Sequence, residues 1–153
     1  MPIHSCYNFV EKWVKHPSLN IGAGIWEFNF GGERTKTLDM TRHENTDYVE
    51  NILDEKREAD YYESVLLLNV LEHTPFPLKM LKEIYQILKI GGRLIISVPF
   101  ICPKHDMPHD YWRFTNDGLK SICERAGFKT NFVEFYFECG NESLSYYRGI
   151  FFK

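Results

Sequence analysis

Two apolar runs with one helical pattern between them constrain this chain more than any other feature. The first lies in Glu63-Ser-Val-Leu-Leu-Leu-Asn-Val-Leu-Glu-His73. It predicts a strand over residues 64–69, and so continuous an apolar stretch is expected of a strand covered on both faces. Thr74-Pro-Phe-Pro77 then punctuates the chain. Pro77 suits a first helical position, where its missing N–H costs nothing. Leu78, Leu81, Ile84, Tyr85 and Leu88 follow at helical spacing, with Lys79, Lys82, Glu83, Gln86 and Lys89 on the other face. Gly91-Gly92 is expected to stop this helix, and Arg93 to Val98 to be the second buried strand. Together these make one βαβ unit of a parallel sheet. The polar residues Asn69, Glu72 and His73 gather where the first strand ends, the edge at which open α/β sheets bind ligands.

The flanking segments fit the same plan. Phe9, Trp13 and Val14 have helical spacing within residues 5–16, up to Pro17. Ser18-Leu-Asn-Ile21 is a short strand running into Gly22-Ala-Gly24, and Thr35-Lys-Thr-Leu-Asp39 is a second. Only Ile25 to Arg34 separates them, too little for a full crossover helix. Residues 47–52 are expected to form an edge-like strand and residues 54–62 a helical turn or two. Pro99 to Thr115 reads as a long functional loop. Thr115 is placed to cap a helix that Gly127 terminates. Residues 128–139 and 146–152 are expected to pair as an antiparallel hairpin at the sheet edge. The fold class is therefore α/β: a Rossmann-like, doubly wound, mostly parallel sheet with an antiparallel C-terminal hairpin, in three αβα layers. All 153 residues are read as one domain.

Composition narrows the ligand classes. The formal net charge is −3, from 18 basic and 21 acidic side chains. No basic stripe is visible, so the expectation is a small-molecule substrate and no nucleic acid. No apolar run approaches the length of a membrane span, so no membrane partner is expected. Cys6, Cys102, Cys123 and Cys139 are widely spaced and no secretory signal precedes them, which points to reduced thiols in a cytoplasmic protein. The aromatic clusters at 132–137 and 146–152 read as core or as an interface between copies in a homo-oligomer.

Several residues are candidates for chemistry. Gly22 and Gly24 offer a backbone cradle that lets a ligand approach main-chain amides. Asp39, ending the next strand, can accept two hydrogen bonds from a ribose diol. His105, His109 and Asp110 sit in the long loop, where an imidazole near pKa 6.5 can take a proton from a nucleophile; alignment alone can also carry much of such a rate. The alternative is a structural loop in which Asp110 pairs with Arg113 while Tyr111, Trp112 and Phe114 pack it down. Cys102, His105 and His109 have a spacing a metal accepts, but a fourth ligand is not evident, and no metal is assigned. His4, His16 and His43 read as solvent-facing.

The ordered segments Leu19-Asn-Ile-Gly-Ala-Gly24, Thr37-Leu-Asp39, Asn69-Val-Leu-Glu-His73, Leu88-Lys-Ile-Gly-Gly92 and Ile96-Ser-Val-Pro99 resemble class I S-adenosylmethionine-dependent methyltransferases. With His109-Asp-Tyr-Trp-Arg-Phe-Thr115 and Ala126-Gly-Phe128, the likeness is greatest to the type 11 subgroup and covers roughly residues 18–135. It implies a seven-stranded sheet with S-adenosylmethionine over the strand ends. Gly22 and Gly24 would pass beside the amino-acid part of this cofactor. Asp39 would bind its ribose, Met40 would pack on adenine and Asn51 would stand near the adenine amino group. Asn69 and Leu71 would line the sulfonium side. The chain departs from the pattern at Asn20, where an acidic residue is usual, at Trp26, where a third glycine is usual, at the short first crossover and at Ile90.

The expected function is methyl transfer from S-adenosylmethionine to a small-molecule or glycan-precursor acceptor. The alternative is a non-catalytic methyltransferase-like binding or scaffold module with a degenerate cofactor site. A dinucleotide oxidoreductase is disfavoured by the missing third glycine.

Overall fold

The computed structural model describes residues 4–105, 109–138 and 141–153. Helix α1 (His4–Trp13) leads into β1 (Ser18–Ile21), a β2–β3 hairpin (Asn29–Phe30 and Glu33–Arg34), β4 (Lys36–Asp39) and β5 (Tyr48–Val49). Strand β6 (Tyr62–Leu68), a 3-10 turn (Leu71–His73), α2 (Pro77–Ile87) and β7 (Leu88–Ile101) form the central unit. Helix α3 (Asn116–Ala126) and the β8–β9 hairpin (Lys129–Glu138 and Asn141–Phe152) complete the chain. Seven strands form one sheet in the order β5-β4-β1-β6-β7-β9-β8. Its left five are mutually parallel, and β9 runs antiparallel to both neighbours. The expected fold class is the one observed.

Burial explains the apolar runs. Val65, Leu66 and Leu67 of β6 and Leu94, Ile95 and Ile96 of β7 are fully buried. Successive side chains of a strand point to opposite faces. Val65, Leu67, Leu94 and Ile96 accordingly meet α2 and α3 through Leu81, Ile84, Leu119 and Cys123. Leu66 and Ile95 meet the other layer, Phe9 and Val10 of α1 with Phe28 and Phe30 beside the hairpin. The β2–β3 hairpin thus covers sheet where a crossover helix was too long to fit. Thr115 caps α3 by accepting from the Gly118 amide at 3.0 Å, and Gly127 ends it in a left-handed conformation.

Three local expectations are corrected. Residues 54–61 form turns, not helix; the Asp60 and Tyr61 amides donate instead to the Gln86 and Ile87 carbonyls at the end of α2. Gly91-Gly92 does not separate helix from strand. Strand β7 begins at Leu88, and the glycines form an irregularity within it, between the Tyr62–Leu88 and Ser64–Arg93 pairings. His16 is not solvent-facing: its side chain is 14% exposed and its Nδ1 lies 2.9 Å from Ser18 Oγ. His43 is half-buried, and the His4 side chain lies outside the described residues. Cys6, Cys102 and Cys123 are free thiols; Cys139 lies outside the described residues. Among the described residues, no helix is long and apolar enough to cross a membrane.

The strand order reverses between β1 and β6. Gly22, just past β1, has φ +67°, and a Cβ on it would stand 2.5 Å from Val70 Cγ2. Conformation and packing both demand glycine there. On the other flank, Asp47 bridges β4 and its neighbours, accepting from Arg34, from Lys36 Nζ at 3.2 Å and from the Thr37 amide at 2.9 Å. Burial alone would raise its pKa, but these donors outweigh it and hold the carboxyl at about 2 against an ordinary 3.8.

Two outcomes follow from this packing. Gly22→Ala should cost about 1–3 kcal/mol in urea unfolding through strain and overlap, and adding Val70→Ala should restore part of it; no recovery would show that overlap contributes nothing. The folded-state pKa of Asp47 is depressed, so its stabilisation is present above pH 3.8 and lost as pH falls through about 2. Asp47→Ala should therefore lower stability by about 1–3 kcal/mol at neutral pH, with the gap from the parent narrowing near pH 2 in the same assay.

Candidate active site

The carboxyl ends of β1, β4 and β6 lie side by side at one edge of the sheet, where open α/β sheets bind ligands. The Gly22 amide donates to the Leu38 carbonyl at 2.8 Å, which holds the glycine turn against β4. The Gly24 amide donates to Asp39 Oδ2, and the Thr41 amide to Asp39 Oδ1, both at 2.8 Å. Asp39 is thus fixed by two backbone donors, one on each oxygen. Each carboxylate oxygen accepts more than one bond, so acceptor capacity is left for a further partner. Gly24 has φ +55° and nothing stands within 4 Å of where its Cβ would be. Trp26 is 43% exposed and its amide closes a turn on the Ala23 carbonyl. The indole is therefore not buried as a plug between the strands.

The remaining cofactor candidates differ in their surroundings. Met40 follows Asp39 with its side chain 59% exposed. Asn51 accepts from the Leu53 amide at 3.0 Å, making its own local turn. Asn69 has a left-handed φ of +54°, donates its amide to the Ser97 carbonyl at 2.8 Å and accepts from Ser97 Oγ at 3.1 Å. Ser97 Oγ also lies 2.8 Å from the Tyr136 hydroxyl, and burial pushes that phenol well above its ordinary range. Leu71 is wholly buried in the core under α2, so only its backbone is available to a ligand.

The loop after β7 is strapped onto the turn after β6. The Tyr111 amide donates to the Glu72 carbonyl at 2.8 Å, and Trp112 Nε1 donates to the Thr74 carbonyl at 2.8 Å. His73 Nδ1 lies 2.5 Å from the His109 carbonyl. Phe114 enters the core at 8% exposure. Asp110 accepts both guanidinium nitrogens of Arg113, at 2.5 and 2.7 Å, and the His105 amide at 2.9 Å. The Arg113 bonds hold its carboxyl well below the usual carboxylate range. This ion pair also anchors the carbonyls of Cys102 and Pro103 through Arg113. The His109 ring packs against Tyr111 with centroids 5.7 Å apart. The His105 ring meets the His73 ring edge-on at 4.8 Å.

Glu72 and His73 stand with Asn69 at the strand end, as expected, and the fold brings them against His105, which sequence spacing does not predict. Glu72 is completely buried, and that burial pushes its carboxyl up to about 8. Burial lowers the His73 imidazole from 6.5. A buried acid directly after an apolar strand was the signal available. The spacing of Cys102, His105 and His109 pointed elsewhere, and the fold turns His105 toward Glu72 and His73. A cleft of about 390 Å³ between α1 and β8 is lined by residues including Phe9, Trp13 and Phe132 and takes no residue from the Asp39 end of the sheet.

Comparison with known proteins gives this geometry a family. A methyltransferase-domain family model matches residues 22–131. A tRNA U34 carboxymethyltransferase of Campylobacter curvus is 33% identical over 135 residues, 80% of this chain and 42% of that relative. One of Helicobacter acinonychis is 36% identical over 78 residues, 44% of this chain and 30% of that relative. The chain thus spans about a third to two-fifths of the length of these curated relatives. The fold matches the Burkholderia thailandensis 1,6-didemethyltoxoflavin-N1-methyltransferase, solved with S-adenosylhomocysteine, at a TM-score of 0.72 and 20% identity, covering 89% of this chain and 70% of that one.

The acceptor expected from composition is corrected here. A small-molecule or glycan-precursor substrate, with no nucleic acid, conflicts with relatives named for a tRNA base. Net charge averages over a whole surface and does not report which face a base would meet. With the family model matching residues 22–131 over this strand order, the chain belongs to the methyltransferase-domain family, whose methyl donor is S-adenosylmethionine.

Proposed function

We infer that this chain is the donor-binding unit of an S-adenosylmethionine-dependent transferase whose acceptor is a base of tRNA. One observation carries the donor half: the Asp39 carboxylate, fixed by the Gly24 and Thr41 amides, stands at the strand ends beside Gly24, which has open space where a Cβ would be. The names of the relatives carry the acceptor half.

The residues present fit the group. Gly22 and Gly24 would let its amino-acid end pass close to the backbone, and Asp39 would take the ribose hydroxyls with its unused lone pairs. Met40, already exposed beside Asp39, would cover adenine, with Asn51 near its edge. Asn69 and the Leu71 backbone would line the opposite wall. When bound, S-adenosylmethionine supplies an electrophilic carbon on a sulfonium, so the protein's task is to align a nucleophile with it.

The loop after β7 supports that alignment. Asp110 is committed to Arg113, and we read it as a strut for the loop, not as a proton acceptor. His109 is exposed to solvent, and it would be the group to meet an acceptor. Trp26, Tyr111 and Trp112, each more than 40% exposed, offer faces on which an unstacked base can rest. A cytoplasmic setting accompanies a tRNA substrate.

Calorimetric titration with S-adenosylhomocysteine tests the donor half. Binding is expected, and Asp39→Ala should weaken it by about 1.5–3 kcal/mol, the scale of lost charged hydrogen bonds. No heat from the parent would overturn the reading, and unchanged affinity in the variant would remove Asp39 from the site. Transfer of label from S-adenosylmethionine to bulk tRNA tests the acceptor half separately.

A further inference from the structure

Glu72, His73 and His105 make a second arrangement that donor binding does not use. Glu72 and His73 lie on the turn after β6, and His105 comes from the loop after β7. The Glu72 side chain has no solvent exposure, and neither of its carboxylate oxygens has a hydrogen-bond partner among the described residues. An acid buried without a partner is costly, and native folds provide one, often a metal. The group facing it is a pair of imidazoles. Glu72 Oε1 lies 3.6 Å from His73 Nε2 and 3.9 Å from His105 Nε2. Those separations are too long for hydrogen bonds. They approach the roughly 3.3 Å between two ligands of one tetrahedral ion with bonds of about 2.0–2.1 Å. One ligand atom from each of the three residues lies within 4.8 Å of the others.

An oxygen stands behind the outer nitrogen of each ring. His73 Nδ1 is held by the His109 carbonyl at 2.5 Å, and His105 Nδ1 stands 3.2 Å from Asp110 Oδ2 without making a hydrogen bond to it. Both rings turn Nε2 toward Glu72. A carbonyl or carboxylate behind the other nitrogen is the usual support of a metal-bound histidine. Two imidazoles and one carboxylate suit a first-row transition ion better than magnesium or calcium, which prefer oxygen alone.

We propose that Glu72, His73 and His105 bind a single divalent first-row transition-metal ion of the zinc class, clamping the loop after β7 onto the end of β6. The fourth position is left to water. The site shares no residue with the proposed donor crevice, so zinc binding is tested separately from the function inferred above.

The test is calorimetry of chelator-stripped protein with zinc chloride, a magnesium chloride control, and visible absorption on cobalt substitution. One zinc per chain should bind, raise the thermal midpoint and displace cobalt with loss of its tetrahedral bands, while magnesium should not compete. Glu72→Gln keeps the volume of the buried side chain, and His105→Ala alters a loop residue. Each should weaken zinc binding by more than about 100-fold, beyond the 10–100-fold cost of losing a supporting contact. Absence of saturable zinc binding by the parent would overturn the proposal. So would parental affinity in either variant that keeps the parent's circular dichroism.

Discussion

Burial of β6 and β7 on both faces is the constraint from which the rest of the structure follows. Val65, Leu67, Leu94 and Ile96 are committed to α2 and α3, and Leu66 and Ile95 to α1 and the hairpin. No side chain in the middle of these strands is left for chemistry. Polar function is displaced to the rim where the strands end, and the strand order reverses between β1 and β6, the place at which open α/β sheets bind ligands. The packing that stabilises the sheet therefore also decides where a ligand can sit.

The rim is held by backbone groups more than by side chains. Gly22 is pressed against Val70, and its amide is bonded to β4, so the turn after β1 has little freedom. Asp39 completes this arrangement by joining the turn after β1 to the turn after β4. On the right-hand side the Asp110–Arg113 pair, Trp112 and Phe114 fasten the loop after β7 over the turn after β6. The donor pocket and the Glu72 cluster thus share β6 as their common wall while drawing on different neighbours. Family membership accords with this division, since the matched region runs from Gly22 to residue 131 and contains both.

What the sequence disclosed was whatever repeats at a fixed period or caps an element locally. The βαβ unit, the Thr115 cap, Gly127 and the edge hairpin were legible because each depends on neighbours in sequence. Residues 54–61 were misjudged because their amides pair with the end of α2, a tertiary partner that local propensity cannot see. The Gly91-Gly92 pair looked like a turn, yet the strand continues through it in irregular register with β6. The nearness of Gly24 to Asp39 was legible because their contact spans a short connection. The meeting of Glu72 with His105 was not, since it exists only once the long loop is laid across the strand end. The acceptor class escaped for another reason: net charge is a property of the whole chain, and recognition is a property of one face.

The account rests on the crevice at Asp39 being the place where the adenosyl group is held. A crystal structure with S-adenosylhomocysteine is the most direct measurement of that claim. Ribose hydroxyls on the Asp39 carboxylate, with the ligand backbone passing Gly22 and Gly24, is the predicted result. Ligand seated instead in the cleft between α1 and β8, or an empty Asp39 crevice at saturating ligand, would contradict it.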